Sequence, residues 1–386
     1  MRLIFRTLFF ALFLQFTNCS DKPDKTENST PPVTPSLKTT YSKDFTIGAA
    51  INEAIILQKD TLALKVLKRD FSSITPENIM KWEEIHPVAD TFNFDLSDKF
   101  VALGEENEME IIGHTLVWHS QIGPWMNTLT DSTIMAKYIK EHINTVAGRY
   151  KGKIHGWDVV NEALNEDGSL RESVFLKVMG DGYLPLAFKQ AAEADPEAEL
   201  YYNDYNMWKP EKREGAVRLV KLVQESGARI SGVGMQGHWG LEEPDLAEVE
   251  KSILAYAALG VKVMITELDI TVLPNPWDME GAEVSQNFRE FEGDEKMNPY
   301  ASGLPDSVQL KLANRYTDIF KLFLKHKDKI SRVTFWGVGD ANSWLNGWPI
   351  RGRTNYPLLF DREYNRKNIY DSVIGLKTQP NQKLAL

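Results

Sequence analysis

The sequence predicts an α/β protein built as a single (β/α)8 TIM barrel, one catalytic domain that follows a short export segment. Short apolar runs rich in β-branched residues, typical of buried parallel strands, recur along the chain. Longer amphipathic stretches alternate with these runs. Polar and aromatic clusters follow the runs, at the positions where barrels carry their functional residues.

Size and charge limit the possible functions. The chain has 386 residues, of which 42% are hydrophobic, enough for one large barrel with a substantial core. A formal net charge of −10 argues against a nucleic-acid partner, because phosphate binding requires clustered Lys and Arg. The 10 Trp and 13 Tyr serve either for packing or as flat surfaces on which sugar rings stack.

The amino terminus has the pattern of an export signal. Arg2 and Arg6 precede an apolar stretch, residues 8–14, that is too short to span a bilayer. Cys19, the only cysteine, follows directly and has no partner for an internal disulfide. The pattern resembles a bacterial lipoprotein signal, which implies cleavage of residues 1–18 and lipidation of Cys19. An ordinary signal peptide with an incidental cysteine is the alternative.

The remaining chain divides simply. Residues 19–38 are polar and proline-rich, which predicts a flexible tether, and residues 379–386 form a short tail. The barrel is assigned to residues 39–378. The expected location is extracytoplasmic, anchored to a bacterial membrane only through the lipid and either periplasmic or on the cell surface, with secretion as the alternative. We expect a monomer.

Eight candidate strands can be assigned in order. They are Phe45–Ile51, Ser72–Thr75, Glu110–Leu116, Gly156–Val160, Leu200–Tyr202, Ile230–Met235, Val261–Thr266 and Arg332–Trp336. Amphipathic stretches between them predict helices at Met135–Tyr150, Lys212–Glu225, Asp245–Leu259 and Val308–Lys325. No G-x-G-x-x-G motif follows the first strand, which weakens a dinucleotide-binding alternative. The acidic, proline-containing segment Leu273–Asp306 is expected to form an ordered loop over the barrel mouth.

Two glutamates carry most of the functional information. Glu162 ends the run Gly156–Val160 with one intervening asparagine, and Glu267 directly follows Val261–Thr266. Carboxylates at the carboxyl ends of barrel strands can face each other across the mouth, and a facing pair suits cleavage of a glycosidic bond. A single glutamate after a strand is more often a solvated residue or a salt-bridge partner, so the neighbouring clusters decide the interpretation.

These clusters contain further motifs in a characteristic order. Asp158–Glu162, Ile265–Asp269 and Gly113–His119 make the chain resemble endo-1,4-β-xylanases of glycoside hydrolase family 10 over roughly residues 40–376. The resemblance implies that Glu162 is the general acid/base and Glu267 the nucleophile of a retaining double displacement. It also implies xylan and xylo-oligosaccharides as substrates, with no cofactor and no metal.

The resemblance assigns supporting and binding roles as well. Asn161 would contact the sugar 2-hydroxyl, His238 the nucleophile, Asp269 would orient His238, and Gln236 would lie near the acid/base. The expected substrate-binding residues are Glu77, Asn78, Lys81, His114, Trp118, Gln121, Tyr205, Asn206, Trp336 and Trp344. Of these, Tyr205 and Asn206 are expected on the leaving-group side. Lys367–Tyr370 departs from the family's usual Lys-Pro-Ala-Tyr, a difference expected to affect only packing of the last helix.

The mechanism makes an electrostatic prediction. In a retaining enzyme the carboxyl groups lie about 5–5.5 Å apart, one protonated and one ionised. The charge of Glu267 should therefore raise the pKa of Glu162 until Glu267 is consumed in the glycosyl-enzyme.

Three alternatives remain open at this stage. The first is a retaining β-1,4-glucanase on the same barrel, and the second is a non-catalytic polysaccharide-binding surface protein. The third is a metal-dependent hydrolase with His114, His119 and His238 as ligands, although these residues lie on different strands without a clustered carboxylate pattern.

Overall fold

The computed structural model describes residues 35–276, 279 and 283–378. The proposed signal peptide, Cys19, the tether up to residue 34 and the tail 379–386 lie outside the described residues. Within the described part of the chain, no helix is both long enough and apolar enough to cross a membrane.

Eight parallel strands close into a barrel, which confirms the predicted fold class. Each strand pairs with the next around the ring, β6 pairs with β8, and β9 pairs with β1. A ninth short strand, β7, pairs with the outer end of β8. The strands are β1 (Thr46–Ile51), β2 (Ser73–Pro76), β3 (Glu110–Trp118), β4 (Gly156–Asn161), β5 (Glu199–Asp204), β6 (Gly232–Met235), β7 (His238–Gly240), β8 (Lys262–Thr271) and β9 (Ile330–Phe335).

Helices surround this barrel and bury their apolar faces against it. They are α1 (Leu37–Tyr41), α2 (Glu53–Ile56), α3 (Thr61–Asp70), α4 (Trp82–Ile85), α5 (Asp95–Glu106), α6 (Ser132–Arg149), α7 (Val174–Met179), α8 (Tyr183–Ala194), α9 (Pro210–Glu225), α10 (Leu246–Ala257), α11 (Asp306–Lys325) and α12 (Asn368–Thr378). The four helices predicted from periodicity correspond to α6, α9, α10 and α11. Their first residues follow local rules, since Asp131 and Asp245 cap α6 and α10 and Pro210 opens α9.

The folded region begins inside the segment assigned to the tether. Leu37 in α1 is fully buried, and its backbone N–H donates to Asp70 at 3.2 Å. The Tyr41 hydroxyl donates to the Val373 carbonyl in α12 at 2.7 Å. The amino- and carboxyl-terminal helices of the described region therefore pack together.

Five strands end later than the apolar pattern suggested, among them β3 and β8. β3 continues to Trp118, and β8 continues past Glu267 to Thr271. Each has an irregular register, between His114 and Val117 in β3 and between Ile265 and Leu268 in β8. Such bulges re-aim side chains. Glu267 therefore lies at an irregularity inside a strand, not after its end.

Hydrogen bonds from the segment before α12 hold the long loop after β8 at two points. The Arg353 guanidinium donates to the Pro274 carbonyl at 2.8 Å, and the Thr354 N–H donates to the Asn298 side chain at 3.0 Å. Val284 reaches the cavity at the barrel mouth. Residues 277, 278 and 280–282 of this loop lie outside the described residues.

Candidate active site

Glu162 stands at the carboxyl end of β4, where the backbone makes an uncommon turn. Its φ is +54°, in the left-handed region that non-glycine residues enter at a cost. Its N–H donates to the Asn203 carbonyl at 2.9 Å, which holds this turn. The buried carboxyl group accepts from Gln236 Nε2 at 2.9 Å and from Trp118 Nε1 at 2.8 Å. Backbone and side chain are thus both held in place.

The environment keeps Glu162 protonated to higher pH than an ordinary glutamate. Burial raises its pKa, and the Asp204 carboxylate behind it adds to the effect. The His119 imidazole and the two hydrogen bonds from Gln236 and Trp118 oppose this rise without cancelling it. The pKa of Glu162 is therefore raised, as expected. Its main cause is burial, and the negative charge that adds to the rise is that of Asp204, whereas the charge expected from the sequence was that of Glu267.

Glu267 in β8 is buried as well, yet its pKa shifts the opposite way. Burial by itself would raise the pKa, but a hydrogen bond from His238, the nearby His114 and a hydrogen bond from Asn203 lower it below the ordinary value. The contacts are His238 Nε2 to Oε2 at 3.1 Å and Asn203 Nδ2 to Oε1 at 2.8 Å. Two buried carboxyl groups at one mouth therefore favour opposite protonation states.

Asn203 and Gln236 link the two carboxyl groups reciprocally. Asn203 accepts from the Glu162 N–H with its backbone carbonyl and donates to Glu267 with its side chain. Gln236 accepts from the Glu267 N–H at 2.7 Å with its carbonyl and donates to Glu162 with its side chain. Because each amide contacts the backbone of one glutamate and the carboxyl group of the other, the pair is held as one unit.

The space for Asn203 comes from a glycine on the neighbouring strand. A Cβ on Gly234 would lie 2.4 Å from Asn203 Oδ1 and 2.8 Å from the Thr266 methyl group. Asn203 Oδ1 accepts from the Thr266 hydroxyl at 2.6 Å, and its Nδ2 also donates to Asn161 Oδ1 at 2.9 Å. This buried amide is therefore satisfied on both sides, which fixes its orientation.

His238 carries a proton across the neutral range. Its Nδ1 lies 3.0 Å from Asp269 Oδ1, and the other Asp269 oxygen accepts from Trp344 Nε1 at 2.8 Å. Burial alone would lower the pKa of His238, but the charge and hydrogen bonds of Asp269 and Glu267 raise it to about 10. The imidazolium donates to Glu267 and keeps that buried carboxylate ionised.

One cavity of about 240 Å³ brings most of the predicted residues together. Its walls include both glutamates, Val284 and the indole rings of Trp336, Trp344 and Trp348. The predicted residues that line it are Glu77, Asn78, Lys81, His114, Trp118, Gln121, Asn161, Glu162, Gln236, His238, Glu267, Trp336 and Trp344. Asp269 lies outside this wall and acts through His238 and Trp344.

A buried lysine organises one side of this cavity. Lys81 Nζ donates to Asn78 Oδ1 at 2.7 Å and to Gln121 Oε1 at 2.9 Å, and lies 5.0 Å from the centroid of the Trp118 ring. Burial lowers its pKa, and burial raises that of Glu77. His114 is oriented from behind by Asp158 at 2.9 Å. The result is a dense set of donors and acceptors on one wall.

Tyr205 and Asn206 lie on the other side and line two adjoining cavities. Asn206 contributes to a cavity of about 310 Å³ that also contains Trp208, Trp348 and His238. Tyr205 contributes to one of about 540 Å³ that is lined by charged residues. Asn206 Nδ2 donates to Glu166 at 3.0 Å, and the Tyr205 hydroxyl accepts from Arg171 at 2.7 Å.

The histidines proposed as alternative metal ligands are engaged separately. His114 pairs with Asp158, His119 lies 3.5 Å from Glu283, and His238 contacts Asp269 and Glu267. Among residues 35–276, 279 and 283–378, no three His, Cys, Asp or Glu side chains are grouped as metal ligands. The arrangement does not correspond to the metal-hydrolase alternative.

Sequence reasoning missed several residues of this site. Asn203 carried a usable signal, because it directly follows the apolar run Leu200–Tyr202 as Asn161 follows Gly156–Val160. No such signal marks Trp348, Arg171 or Glu283 in the sequence, because they lie in irregular segments whose positions depend on tertiary contacts. Lys367 was given no role in the site. Its Nζ donates to Asp340 Oδ2 at 2.7 Å, and Asp340 stands four residues before Trp344.

Known proteins are similar to this chain over most of its length. The chain matches the family model of glycosyl hydrolase family 10 over residues 36–376. It is 44% identical to endo-1,4-β-xylanase A of Xylanibacter ruminicola over 89% of this chain and 93% of that protein. It is 39% identical to the endo-1,4-β-xylanase of Geobacillus stearothermophilus over 89% of this chain and 98% of that protein.

Solved structures show the same relationship. A family 10 endoxylanase retrieved from a sugarcane-soil metagenome superimposes with a TM-score of 0.84 at 46% identity, covering 89% of this chain and all of that one. A xylanase of Paenibacillus barcinonensis, solved with a conduramine derivative, gives 0.78 at 36% identity over 89% and 99% of the two chains. The chain therefore belongs to glycosyl hydrolase family 10.

Proposed function

We propose that this protein is an endo-1,4-β-xylanase that hydrolyses internal xylosidic linkages of xylan with retention of anomeric configuration. The observation that carries the proposal is that two buried carboxyl groups lining one cavity have pKa values shifted in opposite directions. The pKa of Glu162 is raised and that of Glu267 is lowered. A retaining glycosidase needs this combination of one acid and one carboxylate. The xylanase names of the relatives support the substrate.

In the first step Glu267 attacks the anomeric carbon while the Glu162 carboxyl proton moves to the leaving glycosidic oxygen. The C–O bond to the leaving sugar breaks, and a glycosyl-enzyme ester forms on Glu267. In the second step the ionised Glu162 takes a proton from water, whose oxygen attacks the anomeric carbon and releases Glu267. His238 and Asn203 stabilise the carboxylate of Glu267 before attack and after release.

The cavity walls supply substrate recognition. Asn161 offers its amide N–H groups to the sugar 2-hydroxyl, because its oxygen already accepts from Asn203. Glu77, Asn78, Lys81 and His114 bind hydroxyls on the non-reducing side, between the aromatic walls formed by Trp336 and Trp344. Tyr205 and Asn206 bind the leaving-side sugar. Those roles follow from the family resemblance and from the position of each residue beside a cavity.

Xylan is favoured over β-glucan on steric grounds. Glucose carries an exocyclic hydroxymethyl group that xylose lacks. Lys81 and Trp344 line the 240 Å³ cavity beside both glutamates, which restricts the room for that group. The discriminating experiment compares soluble xylan with carboxymethyl-cellulose and follows anomeric configuration by NMR at early times. Short β-configured xylo-oligosaccharides are expected, and inversion or a preference for cellulose would refute the proposal.

The catalytic assignment has its own test. Glu267→Ala should abolish turnover of every substrate. Glu162→Ala should lower kcat/KM on xylan by roughly 10²–10⁴-fold, the usual contribution of general acid catalysis. The same variant should retain kcat/KM on 2,4-dinitrophenyl β-xylobioside, whose leaving group needs no proton. Equal losses on both substrates would contradict the assignment of Glu162.

Export and anchoring are proposed on the sequence alone. Residues 1–18 are removed, Cys19 is lipidated, and the folded domain is held outside the cytoplasm at a membrane. Labelled palmitate should enter the wild-type protein and not Cys19→Ser. Label in neither protein, together with release into the medium, would favour an ordinary secretory signal.

A further inference from the structure

Glu283, in the long loop after β8, makes an ionic contact close to the acid/base. Its carboxylate accepts from Arg171 Nη1 at 2.6 Å and lies 3.5 Å from His119 Nε2. These contacts, first His119 and then Arg171, lower the pKa of Glu283 to about 2, so it is ionised across the working range. The side chains of Glu283 and Arg171 are 15% and 17% exposed, so water competes little with the pair.

Arg171 also contacts the backbone of Glu162, so it connects Glu283 to that residue. Its Nε donates to the Glu162 carbonyl at 3.1 Å, and its Nη2 donates to the Tyr205 hydroxyl at 2.7 Å and to the Leu164 carbonyl at 3.4 Å. The Arg171 guanidinium thus hydrogen-bonds both the backbone of Glu162, at its left-handed turn, and Tyr205, which is proposed to bind the leaving-side sugar. Only Glu283 neutralises it among these contacts, since its other partners are carbonyls and a hydroxyl.

His119 provides a second connection between Glu283 and the carboxyl group of Glu162. It directly follows Trp118, whose indole N–H donates to Glu162 Oε2 at 2.8 Å. Val284, the residue after Glu283, lines the cavity that contains both catalytic candidates. The loop therefore touches the surroundings of Glu162 from the leaving-group side, through residues on three different segments.

We propose that Glu283 is a positioning residue for Glu162, acting through Arg171 and His119 to hold the acid/base in line with the leaving glycosidic oxygen. This inference rests on the proposed function and deepens it, because it assigns a loop residue to the protonation step. Proton transfer is sensitive to small misplacements of the acid, whereas attack by Glu267 does not depend on it when the leaving group is good.

The test uses Glu283→Gln, which removes the charge and keeps the shape, in the full-length protein. Values of kcat/KM are measured on phenyl, 4-nitrophenyl and 2,4-dinitrophenyl β-xylobioside and on xylan. We expect a fall of about ten-fold or more on phenyl xylobioside and xylan, and less than about two-fold on the dinitrophenyl substrate. Glu290→Gln, an exposed residue of the same loop, is the matched control and should leave all four values unchanged.

Two results would overturn the proposal. Equal losses on every aryl substrate would indicate a general structural role, and unchanged values would indicate no role. Thermal denaturation of Glu283→Gln checks that the variant is folded, and Glu283→Asp should restore part of the lost activity on phenyl xylobioside. Failure of the proposed function is recognised separately, because the wild-type protein would then hydrolyse neither xylan nor the aryl xylobiosides.

Discussion

Replacing Trp118 by phenylalanine would remove one hydrogen-bond donor from the proposed acid/base while keeping an aromatic ring beneath Lys81. Trp118 Nε1 donates to Glu162 Oε2 at 2.8 Å, and both side chains are buried. This bond favours the ionised carboxyl group, so its loss raises the pKa of Glu162 further. A buried hydrogen bond to a charged group contributes about 1.5–3 kcal/mol. At 1.36 kcal/mol per pH unit, this corresponds to an upward move of about one to two pH units in the alkaline limb.

The assay is the pH dependence of kcat/KM on an aryl xylobioside with a poor leaving group, for wild type and Trp118→Phe. Protonated Glu162 is required for cleavage, so activity falls as pH rises through its pKa. The variant should stay active to higher pH than wild type. Its acidic limb, which reports Glu267, should move little because Trp118 makes no hydrogen bond to that residue.

Trp125→Phe is the matched control. The Trp125 indole nitrogen has no hydrogen-bond partner in the structure, and its ring packs against Trp82 and Tyr138. Its pH profile should match that of wild type. An alkaline limb in Trp118→Phe that stays in place or moves to lower pH would refute the reasoning.

Three further predictions follow from the same contacts. The wild-type kcat/KM profile should be bell-shaped and wide, falling below the lowered pKa of Glu267 and above the raised pKa of Glu162; a single acidic limb without an alkaline one would contradict these assignments. Lys212→Met should lower Tm by about 4–7 °C, since breaking a buried ion pair costs about 3–5 kcal/mol in a folded region of roughly 340 residues. Calorimetry should show partial recovery when Asp204→Asn is added, because Lys212 and Asp204 are fully buried 2.9 Å apart; no recovery would argue against the pair. Lys367→Met should raise KM for xylo-oligosaccharides several-fold with little change in kcat, because Lys367 holds the segment before Trp344 through Asp340; an unchanged KM in steady-state kinetics would contradict this role.

The sequence was sufficient to predict the barrel and most of its mouth. Apolar runs identified all eight strands because a barrel strand is buried on both faces and must be apolar along its length. Periodicity located α6, α9 and α10, but the predicted starts of α6 and α9 lay three and two residues too late. Most of the candidate site residues were named from the family resemblance, and the common direction of the barrel strands explains why they lie at one mouth.

Strand ends and their irregularities were less predictable. β8 was expected to stop before Glu267 but continues to Thr271, with a register shift beside the glutamate. A bulge depends on the pairing with a neighbouring strand, which the residues of one segment do not specify. The cause of the raised pKa of Glu162 was likewise anticipated only in direction, because burial and Asp204 act through distances that arise on folding.

The amino-acid sequence by itself determined the fold class, the family resemblance and the identities of the two facing glutamates, because all three depend on local pattern and residue order. Only the tertiary structure decided how these glutamates are held. The reciprocal bonds of Asn203 and Gln236, and the contact from Glu283 through Arg171 to Glu162, join residues far apart in the chain. Such contacts exist only after the barrel has closed and the loop after β8 is in place, so no single segment of the sequence predicts them.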